Sequence, residues 1–105
     1  MISTHILDTT RGLPASGVEV VLEQEQNNLW KEIGVDKTNA DGRIVFNCPK
    51  EKGVYRLTFK IEDYYKTEEH FFMNTPIVFH VQNVERKYHV PLLLNPYGYS
   101  TYRGS

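Results

Sequence analysis

The sequence predicts an all-β fold, an antiparallel β-sandwich built from a single domain over residues 1–105. Short stretches alternate between polar and apolar residues, as expected for strands with one buried face. Turn-forming residues separate these stretches at regular intervals. Seven Tyr and five Phe favour strands over helices. Hydrophobic residues make up 40% and charged residues 24%, a balance that supports a packed core and argues against disorder.

Eight strands are expected, and only one segment breaks their alternation. Between Ile61 and His70 the alternation stops, and Glu62, Tyr65, Lys66 and Glu69 have helical spacing, which predicts a helix of two or three turns. No internal repeat or linker divides the chain. The predicted strands are Ser3–Asp8, Val18–Glu25, Leu29–Asp36, Arg43–Phe46, Gly53–Lys60, Ile77–Val81, Tyr88–Leu94 and Tyr97–Tyr102.

The first three strands are identified by alternation and by the turns between them. In Ser3–Asp8, Ile6 falls on one face and His5 on the other. The segment Arg11–Gly17 contains the Gly and Pro residues typical of a turn, and Gln26–Asn28 is typical of a hairpin turn. The second strand turns Val18, Val20 and Leu22 inward, which fixes its buried face.

The fourth and fifth strands follow a polar turn, Thr38–Arg43. Its Asp41-Gly42 pair is a tight-turn signal because glycine readily takes a positive φ. If Phe46 faces the core, Arg43 faces away from it. The fifth strand alternates cleanly, with its aromatic residues on one face.

The seventh strand, Tyr88–Leu94, is largely apolar on both faces. Alternation puts Val90 with the core and turns His89 and Pro91 outward. The outer face of a one-domain sandwich is normally polar, so this face predicts subunit contact, most simply in a symmetric homo-oligomer. The run that follows, to Ser105, is aromatic and poor in charge, and we expect it to pack rather than fray.

Composition excludes several classes of partner. A formal net charge of −1 and a pI of about 6.4 argue against nucleic acid or an anionic membrane. No stretch approaches the ~20 apolar residues of a membrane span. The N-terminus lacks the regions of a signal peptide, so a cytoplasmic location is expected, with periplasm and peroxisome left open. The single cysteine, Cys48, permits no intrachain disulfide, and we expect a packed thiol.

Three groups outside the core could carry chemistry: His5, Arg43 and His89. A site built at a subunit interface would use all three. Taken from alternation alone, each is more often an ordinary surface residue, and His70 and His80 are weaker candidates still. No metal is expected, because two histidines without a third ligand make an incomplete zinc site.

Three stretches resemble one known family, the transthyretin-like 5-hydroxyisourate hydrolases. They are Ser3–Ala15, Thr38–Arg43 and the C-terminal run Tyr88–Ser105. The ending Tyr102-Arg103-Gly104-Ser105 is the specific part, because it separates the hydrolases from the hormone-carrying transthyretins of the same fold.

The resemblance implies a sandwich of two four-stranded sheets with one short helix. It implies a homotetramer, a dimer of dimers, with active sites in a channel between the dimers. It also implies hydrolysis of 5-hydroxyisourate to 2-oxo-4-hydroxy-4-carboxy-5-ureidoimidazoline without a cofactor. The implied catalytic residues are His5, Arg43, His89 and Ser105, and the implied substrate-binding residues are Arg43, Tyr102, Arg103, Gly104 and Ser105.

Roles for these residues follow from their chemistry. A histidine pKa of ~6.5 suits proton transfer, so one of His5 and His89 is expected to act as the base and the other as an acid or hydrogen-bond partner. The two arginines suit binding of an anionic heterocycle. Ser105 is expected to position substrate rather than act as a nucleophile. We expect the tail to be ordered only when subunits meet.

Two other functions fit the same fold. One is a transthyretin-like carrier of a small apolar ligand, against which the two histidines and the polar ending argue. The other is a structural sandwich module of the carboxypeptidase-regulatory type, which is usually linked to further domains.

Overall fold

Nine strands and one short helix build two facing β-sheets in the computed structural model, which describes residues 1–105. The all-β sandwich predicted from alternation is confirmed. The strands are β1 (Ile2–Asp8), β2 (Leu13–Pro14), β3 (Glu19–Gln26), β4 (Leu29–Lys37), β5 (Arg43–Phe46), β6 (Gly53–Phe59), β7 (Thr75–Val81), β8 (Tyr88–Asn95) and β9 (Gly98–Thr101), and the helix α1 is Ile61–Tyr65.

Strand β1 lies at the centre of the first sheet. One of its edges pairs with β8 along its whole length and in parallel, with Ile2 level with Tyr88 and Asp8 with Leu94. Its other edge pairs antiparallel with β5 and then with β2, while β9 extends the sheet beyond β8. The sheet therefore has five strands, one more than the family pattern implied. The extra strand is the two-residue β2, which lies inside the predicted turn Arg11–Gly17.

The second sheet is antiparallel throughout, in the order β4-β3-β6-β7. Strands β3 and β4 form the predicted hairpin. Its two central residues, Asn27 and Asn28, have φ values of 53° and 63°. Two positive φ values in a two-residue loop are the geometry of a type I′ turn, which suits the twist of the flanking strands.

The helix α1 has only five residues, and the prediction of two or three turns reaching His70 was wrong. Its buried residues, Ile61 and Tyr65, pack into the core. The helix ends because Lys66 has a φ of 57°, in the left-handed region that terminates helices.

The core lies between the sheets and follows the predicted alternation. In β1, Ile2 and Ile6 are buried and His5 is half-buried on the outer face. In β5, Arg43 is exposed while Phe46 is buried. The largest fully buried side chains come from both sheets: Tyr55, Phe59, Leu57, Leu22, Ile2, Ile6 and Leu92. As predicted, Cys48 packs against this core, and its thiol is free.

Candidate active site

Three adjacent strands of the first sheet bring the predicted catalytic residues to one outer face. His5 of β1 lies directly opposite Arg43 of β5. Two residues before His5 and on the same face of β1, Ser3 lies level with His89 of β8. Neighbouring strands are about 4.8 Å apart, so residues on the same face of three such strands can serve one ligand.

Arg43 is held in place by the turn that precedes it. The Asn39 side-chain oxygen accepts hydrogen bonds from the backbone N–H of Asp41 at 2.9 Å and of Arg43 at 3.0 Å. Gly42 has a φ of 73°, and its carbonyl accepts the Ile6 N–H at 2.8 Å. A Cβ at Gly42 would lie 2.6 Å from the Ile6 carbonyl oxygen, so glycine is required there. The turn therefore fixes where β5 begins.

His89 is the most constrained of the candidate groups. Its Nδ1 lies 2.8 Å from the hydroxyl oxygen of Ser3. Its pKa is lowered from the ordinary 6.5, chiefly because the ring is partly buried, and further because Arg43 and His5 add positive charge nearby. A lowered pKa keeps the imidazole neutral at neutral pH.

The C-terminal tail runs alongside β8 and is tied to it within the same chain. The Gly104 N–H donates to the His89 carbonyl at 2.8 Å, and the Thr101 hydroxyl donates to the Pro91 carbonyl at 2.7 Å. Gly104 lies so close to the His89 ring that a Cβ there would overlap it. These contacts lie within one chain, and the expectation that the tail is ordered only when subunits meet stays a prediction.

A cleft of about 240 Å³ opens where the tail, β1 and β5 meet. Arg43, His89 and Ser105 line it together, and they are joined there by Ser3 and Lys87. The cleft therefore combines the Arg43 and Lys87 cations, a neutral imidazole and the hydroxyl groups of Ser3, Thr4 and Ser105.

The structure does not bring all the predicted residues into this cleft. His5 faces the same side of the sheet but does not line it. Tyr102 and Arg103 line a second cleft of about 230 Å³, which His89 also borders. There the Arg103 guanidinium lies 4.6 Å from the centre of the Tyr88 ring.

The other histidines lie elsewhere. His80 is exposed on β7, as predicted for a solvated residue. His70 stacks on the Tyr65 ring with centroids 5.1 Å apart. No group of three His, Cys, Asp or Glu side chains is placed to hold a metal ion, and no helix is long and apolar enough to cross a membrane.

Sequence analysis did not single out Ser3 or Lys87. Alternation along β1 puts Ser3 on the same face as His5, but its contact with His89 depends on the parallel pairing of β1 and β8. Lys87 directly precedes β8, the strand that carries His89. Its position next to that strand was a signal that could have placed it near the site.

The two facing sheets, with titratable groups on the outer face of the first, define the class of the protein: a transthyretin-like β-sandwich. The chain belongs to the HIUase/Transthyretin family, whose model matches residues 2–104.

Relatives and solved structures agree with this assignment. A 5-hydroxyisourate hydrolase of Salmonella dublin is 46% identical over 110 residues, which cover 100% of this chain and 81% of the relative. The structure of Klebsiella pneumoniae 5-hydroxyisourate hydrolase superposes with a TM-score of 0.86 at 37% identity, covering 99% of this chain and 98% of that chain. Sea bream transthyretin in complex with thyroxine gives a TM-score of 0.89 at 30% identity, covering 98% and 93%.

Proposed function

We propose that this protein hydrolyses 5-hydroxyisourate to 2-oxo-4-hydroxy-4-carboxy-5-ureidoimidazoline in urate degradation. The observation that carries the proposal is the cleft in which Arg43, His89 and Ser105 converge. The hydrolase names of relatives that cover the whole chain support the same substrate.

His89 is the proposed general base. Its lowered pKa leaves a neutral imidazole at neutral pH, able to accept a proton from water. The resulting hydroxide attacks a ring carbonyl carbon of the substrate, forming a C–O bond and a tetrahedral oxyanion. When this intermediate collapses, the ring C–N bond breaks and the protonated His89 returns its proton to the leaving nitrogen. One water is consumed, and no redox change occurs.

Arg43 is proposed to bind the substrate and to stabilise the oxyanion. Its guanidinium takes part in none of the four ion pairs of the chain. A cation beside the reacting carbonyl stabilises the negative charge that develops there. His5, directly opposite Arg43, is proposed as the acid or hydrogen-bond partner.

The tail supplies the remaining wall of the site. Ser105 lines the cleft with Arg43 and offers a hydroxyl for positioning substrate. Gly104 permits the close approach of this wall to His89. Tyr102 and Arg103 are proposed to bind substrate from the edge of the site, which His89 shares with the second cleft.

A homotetramer, arranged as a dimer of dimers, is proposed for the assembly. Apolar residues on the outer face of the first sheet support it: Val45 is 54% exposed, and Leu7 and Leu93 are only half-buried. The cytoplasmic location expected from the sequence stays a prediction.

Carriage of a small ligand is the second candidate function. The likeness to a transthyretin in complex with thyroxine favours it. The lining of the cleft disfavours it, because Arg43, Lys87 and His89 are a poor match for an apolar hormone.

The test is an ultraviolet assay of 5-hydroxyisourate made freshly by urate oxidase. We expect the protein to accelerate the loss of substrate absorbance well above the spontaneous rate and to yield one enantiomer of the product, read by circular dichroism. A rate equal to the spontaneous one, together with tight binding of thyroxine, would favour the carrier.

A further inference from the structure

One ring nitrogen of His89, Nδ1, already has a partner within the chain. The Ser3 hydroxyl oxygen lies 2.8 Å from Nδ1, which leaves Nε2 as the nitrogen available to a ligand. The contact joins residues 86 positions apart and exists because β1 and β8 pair in parallel with Ser3 level with His89.

A neutral imidazole has one N–H and one lone pair, and only the lone pair can take a proton from water. A serine hydroxyl can either accept a hydrogen bond from Nδ1–H or donate one to a bare Nδ1. If it donates, the proton of the neutral ring lies on Nε2, and Nε2 cannot act as a base. The direction of this one hydrogen bond therefore decides whether His89 can work.

We propose that Ser3 is a positioning residue, whose hydroxyl accepts the Nδ1–H of His89 and keeps the Nε2 lone pair free to deprotonate water. This inference rests on the proposed function, because it assigns Ser3 a part in the same hydrolysis.

The tail also restricts the position of the His89 ring. Gly104 lies against the ring so closely that a Cβ on it would overlap His89 Cδ2 and would lie 3.1 Å from Pro91 Cγ. The ring is thus held by a hydrogen bond at Nδ1 and by backbone against its Cδ2 edge. An imidazole fixed in this way needs no reorganisation before it accepts the proton.

The test compares Ser3→Ala, which removes the hydroxyl, with Ser3→Thr, which keeps it. We expect Ser3→Ala to lower kcat about tenfold with KM changed less than about twofold, because the substrate contacts remain while the base is mispositioned. Ser3→Thr should recover kcat to within about threefold of the wild type. Ser100→Ala is the matched control, because Ser100 is an exposed serine of the same sheet, paired with Leu93 and away from His89.

A second readout does not depend on activity. Long-range ¹H–¹⁵N spectra of the neutral protein report which ring nitrogen carries the proton, and the His89 signals are assigned by their loss in His89→Gln. We expect the wild type to be protonated at Nδ1 and Ser3→Ala to gain the Nε2–H tautomer. Thermal unfolding of each variant identifies any that fails to fold.

The outcomes separate the inference from the proposed function. An Nε2–H tautomer in the wild type, or an unchanged tautomer together with unchanged kcat in Ser3→Ala, would overturn the role of Ser3. If the wild type fails to hydrolyse 5-hydroxyisourate, the proposed function fails, and the spectra still decide whether Ser3 accepts the Nδ1 proton.

Discussion

Two clefts of nearly equal volume share the C-terminal tail, yet they are lined by different chemistry. The first, about 240 Å³, holds Arg43, His89 and Ser105. The second, about 230 Å³, is lined by apolar and aromatic residues of β7 and β8, by His80 and His89, and by Tyr102 and Arg103 of the tail. Alternation along the tail puts Gly104 beside His89 and Arg103 beside Tyr88, so successive tail residues contact different residues of β8.

Two polar groups of the second cleft already have partners within the chain. The Arg103 guanidinium lies over the Tyr88 ring, and the Tyr88 hydroxyl accepts the backbone N–H groups of Gln82 at 3.2 Å and Asn83 at 3.0 Å. In the first cleft Arg43 takes part in no ion pair and lies over no aromatic ring. His89 borders both clefts, so the cation without a partner in the chain is what distinguishes the first cleft from the second.

The largest expected effect compares His89, which lines both clefts, with His80, which lines only the second. Replacing His89 by Gln removes the proposed base while keeping a polar side chain of similar reach, and turnover should fall by ~10² or more. His80→Gln is the control, because His80 lines the second cleft on an exposed strand and should keep turnover within about twofold. Steady-state rates of 5-hydroxyisourate loss measure both. Equal rates in the two variants would remove the distinction between the clefts.

A smaller effect is expected from the tail itself. A methyl group at Gly104 overlaps the His89 ring, so Gly104→Ala should move the ring from Ser3 and lower kcat about tenfold. Gly98→Ala is the matched control, because a Cβ there meets only Asn95, at the ordinary contact distances of 3.8 and 3.9 Å. Rates and melting temperatures are to be measured together. Wild-type kcat in Gly104→Ala would mean that the tail adjusts and does not hold the ring.

Much of the fold could be predicted because alternation is a local signal. All eight predicted strands are present, and His5, Arg43 and His89 lie on the outer face as expected. The early end of the helix was not predictable, because it depends on a positive φ at Lys66, a residue type that seldom adopts one.

The site was predictable only in part. Its long-range pairing could not be read from local pattern, so Ser3 was not connected with His89. The separate position of Arg103 could have been predicted, since alternation puts it on the face opposite Gly104. The family resemblance implied instead that the last four residues all bind substrate in one site.

The smallest expected effect is a shift of the pH profile, and it separates the two arginines. His89 works as a base only when unprotonated, and its pKa lies below the ordinary 6.5. The acid limb of kcat/KM should therefore lie below that pH, with activity lost as pH falls through the pKa of His89. Besides burial, the cause of this lowering is positive charge from Arg43 and His5.

Arg43→Met should move the limb toward higher pH, because it removes one positive charge that disfavours protonated His89. Burial, the larger cause, remains, so the limb should stay below its position for an ordinary histidine. Arg103→Met should leave the limb in place, because Arg103 acts on the pKa of Tyr88 rather than on that of His89. Both variants keep the other groups near the ring, namely His5, Lys87 and Ser105. Limbs that move equally in the two variants would mean that the tail arginine reaches the reactive cleft and that the clefts are one site.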